Sequence, residues 1–188
     1  MPFILGISTS PRKNKNTEFI VKKALETIKN CETKFISLAE LEVKPCNSCD
    51  FCKDKAECSI KDDMQQIYEL LKTADGIIIA SPVYFGNMSA QCKALIDRTL
   101  MLRRHKMALR DKIVGVLVVG RSRNGGQELV ARSILDAFLI HECLIVSDQE
   151  TAHFGGLVHE PAEKDEIGLK TVVNLAKKVE KIVLKLNK

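Results

Sequence analysis

Two segments near the middle of the chain are apolar on both of the faces that an extended strand presents. Residues 76–80 read GIIIA and residues 112–119 read KIVGVLVV, and neither segment alternates polar with apolar side chains. Strands of this kind are typical of parallel sheets that helices cover on both sides. The two segments therefore predict the central strands of an α/β fold.

Further short apolar runs alternate with helical patterns along the 188 residues. This alternation predicts one flavodoxin-like domain over residues 1–188, a doubly wound sheet of five parallel strands in the order 2-1-3-4-5. Two long loops interrupt the pattern, a cysteine-rich loop at residues 43–62 and a loop at residues 148–161. The predicted strands are residues 3–7, 34–38, 76–80, 112–119 and 143–146, and the predicted helices include residues 62–71, residues 89–104 and a last helix from about Glu163.

The charge and hydropathy of the chain exclude several functions. The formal net charge is +5, a surplus too small and too scattered to predict nucleic-acid binding. No apolar run of about 18 residues occurs, so we expect no membrane span. The first residues, MPFILGISTS, predict a strand and not a signal peptide. We therefore expect a cytoplasmic protein, in a reducing compartment where clustered cysteines usually serve a metal site or catalysis.

The loop after the first strand, 8-STSPRKNKNT-17, is rich in groups that bind an anion. In a doubly wound sheet, ligands bind at the carboxyl ends of the strands, and a helix that begins there offers backbone N–H groups. Neither G-x-G-x-x-G nor the P-loop motif occurs, so a mononucleotide is predicted instead of a dinucleotide. A plain polar loop with a Ser or Thr cap is the alternative. The candidate phosphate-binding residues are Ser8, Ser10, Arg12, Asn16 and Thr17.

Two further loops are expected beside the first at the same edge of the sheet. The third strand runs into 81-SPVYFGNMSA-90, where Tyr84 and Phe85 offer a flat apolar surface and Gly86 permits close backbone approach. The alternative is that both aromatic residues belong to the core. The fourth strand ends in the glycine-rich 120-GRSRNGGQE-128. Together the three loops predict an FMN site.

These motifs resemble those of the iron–sulfur flavoproteins, within the NADPH-dependent FMN reductase group. The similarity runs through GISTSPR…NT, C-x2-C-x2-C-x5-C followed by Asp62, Asp63 and Met64, SPVYFGNMSAQCKALIDR, GRSRNGGQE and HFGG. The resemblance implies that the five residues of the first loop hold the FMN phosphate. It also implies that Pro82, Val83, Tyr84, Phe85, Gly86 and Asn87 wrap the ribityl chain and the ring, and that Gly125, Gly126 and Gln127 lie near the flavin, from this chain or a neighbouring subunit.

Four of the seven cysteines lie in the stretch 46-CNSCDFCKDKAEC-58. Their spacing lets one turn of chain aim three thiolates at a cuboidal cluster, with a fourth thiolate closing the last corner. Structural zinc usually takes two ligand pairs separated by a longer loop. A [4Fe–4S] cluster is therefore favoured, and zinc or no metal are the alternatives. The candidate ligands are Cys46, Cys49, Cys52 and Cys58.

The residues around this motif carry two further expectations. Ser48 stands where members of the resembled family usually have Gly, a residue that adopts positive φ without strain. The remaining cysteines, Cys31, Cys92 and Cys143, fall in helical or strand patterns and are predicted to be small buried hydrophobic residues. His153, before Phe154, is a candidate to face the flavin, and a loop or core histidine is the alternative.

The predicted function is that of a flavin-dependent oxidoreductase. In this interpretation FMN and a [4Fe–4S] cluster pass electrons between a small carrier such as ferredoxin and a small-molecule acceptor, and no side chain is catalytic. One alternative is a cluster-free NAD(P)H-dependent reductase of quinones or free flavins, and another is a non-enzymatic, flavodoxin-like electron carrier. The resemblance and the 120–128 loop also suggest a homodimer or homotetramer.

Overall fold

The computed structural model describes residues 1–187, and a parallel β-sheet forms its centre. The strand order is β2-β1-β3-β4-β5, which confirms the predicted flavodoxin-like topology. Every residue of β3 and β4 is buried, because helices cover both faces of these strands. The strands are β1 Phe3–Ser8, β2 Glu32–Ser37, β3 Gly76–Pro82, β4 Ile113–Gly120, β5 Leu144–Ile145 and β6 Gly156–His159.

The fifth position of the sheet is divided between two short strands. β5 pairs with Ile113 and Val114 of β4, and β6 pairs in parallel with the same strand from Leu117 to Gly120. Val146 N still donates to the Val114 carbonyl oxygen at 3.0 Å, and residues 147–155 connect the two strands. The loop predicted at residues 148–161 therefore contains a sixth strand, and the fifth strand predicted at residues 143–146 is shorter than expected.

The return of the chain to β4 depends on glycine. A Cβ atom at Gly155 would lie 2.2 Å from the backbone oxygen of Val116, and one at Gly156 would lie 2.3 Å from Leu117 Cδ2. Any larger residue would force the backbone of β6 away from β4. The two glycines of the HFGG motif are therefore needed for the chain to lie close to β4.

The helices form two layers, one on each face of the sheet. The first and last helices pack on one side around Val21, Leu175 and Val179, and the others pack on the opposite side around Ile67, Leu95 and Ile134. The helices are α1 Asn16–Thr27, α2 Met64–Thr73, α3 Ala90–Arg98, α4 Leu100–Arg104, α5 Gln127–Leu139 and α6 Glu166–Leu186. Within residues 1–187, none of them has the length and apolarity required to cross a membrane.

The bounds of three helices differ from the prediction, and the first of these, α2, covers Met64–Thr73 instead of residues 62–71. The helix predicted over residues 89–104 is broken at Thr99, whose hydroxyl donates to the Ile96 carbonyl oxygen at 2.6 Å. Threonine and serine hydroxyls compete in this way with the regular backbone ladder. The last helix starts at Glu166 and not at about 163, because Asp165 caps it by accepting from Gly168 N at 3.0 Å.

Candidate functional site

The loops that follow β1 and β3 are tied together at the carboxyl edge of the sheet. Thr9 donates to the Ala80 carbonyl oxygen through its backbone N–H at 2.9 Å and its hydroxyl at 2.7 Å. Ser89, the cap of α3, donates its hydroxyl to the Thr9 carbonyl oxygen at 2.7 Å. These bonds fix the two loops relative to each other, as the prediction of a joint ligand site requires.

A buried carboxylate that the sequence reasoning missed holds the first loop in place. Glu18 is 3% exposed, and it accepts from Ser37 Oγ at 2.6 Å and from Asn14 N at 3.0 Å. The Glu18 side chain therefore links α1 to the edge strand β2 and to the tip of the loop. Within the loop, Ser10 Oγ accepts from Arg12 N at 3.1 Å.

The end of the first loop is tied to the segment that follows β6. Asn16 Oδ1 accepts from Ala162 N at 3.0 Å. This bond occupies the amide oxygen of Asn16 and leaves its NH2 group as a donor for a ligand. It also brings Glu160, which lies just before Ala162, to the same end of the sheet.

The loop after β3 makes a tight hairpin. Tyr84 and Asn87 exchange two backbone hydrogen bonds of 2.8 and 3.1 Å, and Phe85 and Gly86 between them have φ values of 51° and 78°. Two consecutive positive φ angles are the geometry of a two-residue hairpin turn. Tyr84 is 41% exposed and Phe85 is fully exposed, so the alternative that these aromatic side chains belong to the core is wrong.

The loop after β4 lies against this hairpin within the same chain. Gly126 has a φ of 97°, and a Cβ atom there would lie 3.5 Å from Val83 Cγ1. Gln127 is buried below the loop and donates to the carbonyl oxygens of Ser122 at 2.7 Å and Val158 at 3.3 Å. Gln127 therefore supports the loop from beneath.

A second buried carboxylate anchors the 120–128 loop. Asp165 accepts from Arg123 Nη2 at 2.6 Å and from His159 N at 2.8 Å. Burial alone would raise the pKa of Asp165, but these donors and Gly168 N outweigh it and hold the pKa below its ordinary value. The charged carboxylate thus connects the loop after β4 to β6 and α6.

The three loops enclose a cleft of about 400 Å³. Six of the predicted residues line it, and four further residues were not named as candidates, two of them inside the 120–128 motif and two outside any motif. Ser8, Ser10, Phe85, Gly86, Asn87, Gly125, Gly126 and Gln127 do not line the cleft. The predicted lining residues are Arg12, Asn16, Thr17, Pro82, Val83 and Tyr84, and the missed residues are Val119, Gly120, Arg121 and Glu160.

The four cysteines of the 46–58 stretch line a second, smaller pocket of about 20 Å³. Arg98, Met101 and Arg104 form its opposite wall. Arg104 belongs to α4 and makes no contribution to the flavin cleft. That these four cysteines hold a metal stays a prediction.

Two residues of α4 and its C-terminal end hold the middle of the cysteine loop. Arg104 Nη1 lies 3.2 Å from Cys52 Sγ, and Arg104 Nη2 donates to Asp50 at 2.9 Å. His105 Nε2 lies 2.9 Å from the Cys52 carbonyl oxygen. Elsewhere in the loop, Ser59 Oγ lies 3.1 Å from Cys49 Sγ and lowers the pKa of that thiol.

The three cysteines outside the loop are buried, as predicted. Cys31, Cys92 and Cys143 are 8%, 0% and 5% exposed. Burial raises the pKa of both Cys92 and Cys143 to about 12, which keeps these thiols protonated and unreactive. His153 is partly buried, and its backbone N–H donates to Asp148 at 2.6 Å.

Comparison with known proteins identifies the family. The profile of the family described as NADPH-dependent FMN reductase matches residues 2–155. An iron–sulfur flavoprotein from Methanosarcina thermophila is 49% identical over 178 residues, which cover 94% of this chain and 92% of that protein. An iron–sulfur flavoprotein from Methanocaldococcus jannaschii is 47% identical over 187 residues, 96% of each chain. The chain belongs to the iron–sulfur flavoprotein family.

Solved structures share the fold of this iron–sulfur flavoprotein, although their sequence identity to it is low. A flavodoxin, WrbA-like protein from Agrobacterium tumefaciens superposes with a TM-score of 0.72 at 16% identity, covering 98% of this chain and 99% of that one. A flavodoxin from the domain Archaea superposes with a TM-score of 0.60 at 12% identity, covering 97% and 99%. These neighbours support the flavodoxin-like fold alone. The family membership makes this chain a flavin-dependent redox protein.

The residues of the cleft between the three loops fit FMN, the flavin that the sequence predicts for this site. Asn16 lines the cleft, and its bond to Ala162 N occupies only the amide oxygen, so that its NH2 group can donate to a phosphate oxygen. Arg12 and Arg121 bring two positive charges to the same cleft. These groups suit a phosphate monoester, and the exposed ring of Tyr84 suits a flat heteroaromatic system.

Replacing Arg12 with Ala is expected to weaken FMN binding by about 1.5–3 kcal/mol, the range for a lost hydrogen bond to a charged group. A fluorescence titration of the apoprotein with FMN measures this change. Lys15→Ala is the matched control, because Lys15 lies in the same loop, is exposed and does not line the cleft. Equal losses in the two variants would mean that only net charge matters and would remove Arg12 from the site.

The cysteine pocket has the donor chemistry of an iron–sulfur site. The two carboxylates of the pocket are each paired with a lysine, Asp50 with Lys53 and Asp97 with Lys93. The thiols are therefore the available metal ligands, and thiolates are the soft ligands that iron–sulfur clusters prefer. In the part of the chain that the structure describes, no three His, Cys, Asp or Glu side chains converge closely enough to hold a metal ion. The four cysteines line one pocket, but their thiols do not yet converge. Binding a cluster would therefore require their side chains to turn towards it.

The backbone shows the effect of having Ser48 where members of the family usually have Gly. Ser48 has a φ of 55°, so the position does need the left-handed conformation in which glycine is unstrained. We expect Ser48→Gly to slow the loss of iron from the protein in air, because about 1–2 kcal/mol of backbone strain would be relieved. Ala152→Gly relieves a similar φ of 58° outside the pocket. An equal effect of the Ala152 variant would contradict a local origin.

Proposed function

We propose that the protein is an FMN-dependent oxidoreductase that transfers electrons through a [4Fe–4S] cluster held by Cys46, Cys49, Cys52 and Cys58. The donor would be a small electron carrier such as ferredoxin, and the acceptor a small molecule. The observation that carries the proposal is that one chain forms both a flavin-sized cleft and a separate pocket lined by four cysteines. The family name of the relatives supports it.

When bound, the cluster handles single electrons and FMN handles one or two, so that together they connect one-electron carriers with two-electron acceptors. The chain's own residues bind and position. Arg12 and Arg121 offer forked donors to the phosphate end, and Pro82 and Val83 supply apolar walls that exclude water. Arg104 keeps its positive charge beside the thiols, since its bonds to Asp50 and Cys52 raise its pKa.

The second candidate function is an NAD(P)H-dependent reductase in which the cysteine loop holds no metal. The match of residues 2–155 to a family described as NADPH-dependent FMN reductase favours it. The two candidates differ in the reductant that the protein accepts. In the first candidate single electrons enter through the cluster, whereas in the second a hydride donor reacts with the flavin directly.

One anaerobic experiment separates the two candidates. The protein is purified without oxygen, iron, sulfide and FMN are measured, and flavin bleaching is followed after mixing with reduced ferredoxin or with NADPH. The proposed function predicts about four irons per chain, with ferredoxin the faster reductant. Intact FMN with neither iron nor sulfide after reconstitution, together with turnover by NADPH, would establish the second candidate instead.

We expect the protein to associate into a homodimer or a homotetramer. Phe85 is fully exposed, and Leu129 on α5 is 67% exposed, so large apolar side chains lie uncovered near the flavin loops. Burying such side chains against a second copy is favourable by about 25 cal/mol for each Å². Light scattering at micromolar concentration measures the mass. A monomer that retains FMN would contradict this expectation and the idea of a shared flavin site.

A further inference from the structure

The cysteine loop leaves and rejoins the fold through a narrow neck, formed by residues 42–44 and 60–63. Glu42 N donates to Asp63 Oδ2 at 2.7 Å, and Asp63 N donates to the Glu42 carbonyl oxygen at 3.1 Å. Lys44 N donates to Asp62 Oδ2 at 2.9 Å. The two ends of the loop are therefore bonded directly to each other.

Arg98, the last residue of α3, lies at the centre of this neck. It is 2% exposed, and its guanidinium makes a two-point ion pair with Asp62 at 2.8 and 3.0 Å. Nη1 also donates to the Lys44 carbonyl oxygen at 2.9 Å, and Nη2 donates to the Ile60 carbonyl oxygen at 3.2 Å. One side chain is thus bonded to both ends of the cysteine loop.

The bonded carbonyl groups lie at equal distances along the chain from the outer cysteines. Lys44 precedes Cys46 by two residues, and Ile60 follows Cys58 by two residues. The position of Arg98 therefore constrains how far apart the first and last thiols can lie. An ion pair that served only to neutralise Asp62 would not need bonds to both of these carbonyl groups.

Arg98 is also part of the wall of the cysteine pocket. Its Nε is buried and finds no hydrogen-bond partner among the residues that the structure describes. One donor of a residue in the pocket wall is thus unused, while the charge of the guanidinium is paired with Asp62. Thiolates and sulfides are weak acceptors that a cationic donor stabilises.

We infer that Arg98 is a positioning residue for the metal cluster: by closing the neck it holds Cys46 and Cys58 at the separation that cluster binding needs. The inference rests on the proposed function in so far as the ligand is a [4Fe–4S] cluster. The closure of the neck itself is a property of the metal-free chain. Arg98 is the last residue of the SPVYFGNMSAQCKALIDR motif, and both it and the preceding Asp97 line the cysteine pocket.

Arg98→Lys tests the inference, because lysine keeps the charge opposite Asp62 but lacks the planar fork that reaches three acceptors. In the reconstituted protein, we expect iron to be lost to a chelator about 10-fold faster than from the wild type, the scale of effect seen for residues that orient metal ligands. The affinity for FMN is expected to stay within about twofold, since Arg98 does not line the flavin cleft.

A second readout uses the metal-free full-length protein and a short bifunctional thiol reagent. Peptide mapping gives the yield of the Cys46–Cys58 cross-link relative to the Cys49–Cys52 cross-link. Opening of the neck separates the first pair and leaves the second, whose members lie within one turn of chain. Arg98→Lys is therefore expected to lower this ratio several-fold, which general destabilisation would not do.

Val179→Ala is the matched control for stability. Val179 is fully buried in the core on the face of the sheet opposite the cysteine pocket, and its truncation destabilises the fold without touching the neck. The inference is overturned if the cross-link ratio is unchanged in Arg98→Lys, or if Val179→Ala lowers it equally. If the wild type takes up no iron, the proposed function fails, and the cross-link ratio still decides whether Arg98 closes the neck.

Discussion

Replacing any one of Cys46, Cys49, Cys52 and Cys58 with Ala is expected to remove most of the iron from protein purified without oxygen, while FMN stays bound. The four thiols line one pocket. A cuboidal cluster that keeps only three thiolates lacks the ligand of its fourth iron. The flavin cleft shares no residue with this pocket. Iron, sulfide and FMN are measured per chain, and reduction by ferredoxin is expected to slow sharply in each variant.

Substitution of the buried cysteines provides the control. Cys31→Ala, Cys92→Ala and Cys143→Ala remove thiols of the same chemistry from the core and are expected to leave the iron content unchanged. Loss of iron from these variants as well would show that the loading reports overall stability. A colourless metal without acid-labile sulfide in the wild type would indicate zinc and contradict the cluster.

Arg98→Met is expected to lower the free energy of unfolding by about 3–5 kcal/mol, because it leaves the Asp62 carboxylate buried without its partner. The side chains of Arg98 and Asp62 are 1% and 0% exposed, so solvent cannot replace the lost ion pair. Urea denaturation at neutral pH measures the change. The double variant Arg98→Met/Asp62→Leu removes both charges and is expected to recover much of the loss. A double variant as unstable as the single one would show that the unpaired charge is not the cause.

The same ion pair predicts how this loss depends on pH. Burial alone would raise the pKa of Asp62, but the donors of Arg98, together with the backbone N–H groups of Lys44 and Met64, outweigh it and hold the pKa below its ordinary value. In the wild type, the stabilisation is therefore present above about pH 4 and is lost as the pH falls through the lowered pKa. In Arg98→Met, burial without the ion pair raises the pKa, so protonation relieves the penalty at higher pH. The difference between the two proteins should shrink in acid.

The fold was predictable because its central signal is local and strong. The apolar runs at residues 76–80 and 112–119 require burial on both faces, and this requirement leaves few architectures. The sixth strand was not predictable in the same way. β6 has only four residues, and it pairs with β4 because Gly155 and Gly156 permit a close approach that is decided by residues distant in sequence.

The candidate flavin site was predictable as far as its motifs reach. Arg12 and Tyr84 lie in loops with recognisable composition, and both line the cleft. Glu18 was missed because an acidic residue in the first turn of a helix usually reflects the helix dipole. Its bonds to Asn14 and Ser37 depend on the three-dimensional path of the loop.

The cysteine pocket, too, was predictable only where the signal is local in sequence. The spacing of the thiols was readable, and strain at Ser48 was expected because members of the resembled family usually have Gly there, a residue that adopts positive φ without strain. The sequence placed Asp62 at the start of the helix predicted over residues 62–71. Asp62 does accept from Met64 N at 3.1 Å, but its main partner is Arg98, 36 residues further along the chain. Sequence spacing contains no signal for such a pairing.

The divided fifth position of the sheet gives the protein a natural insertion point. β5 and β6 are each aligned on β4 by their own ladder, so the position of one does not depend on the path between them. The entropy of closing a loop rises only slowly with its length. An insertion at the exposed Glu150 should therefore leave α6 and the cleft in place, provided that the buried Asp148 keeps its bonds to Thr151 and His153 and that Gly155 is kept where the chain returns to Val116. A reporter placed there would be attached to the carboxyl half of the sheet yet mechanically separate from it.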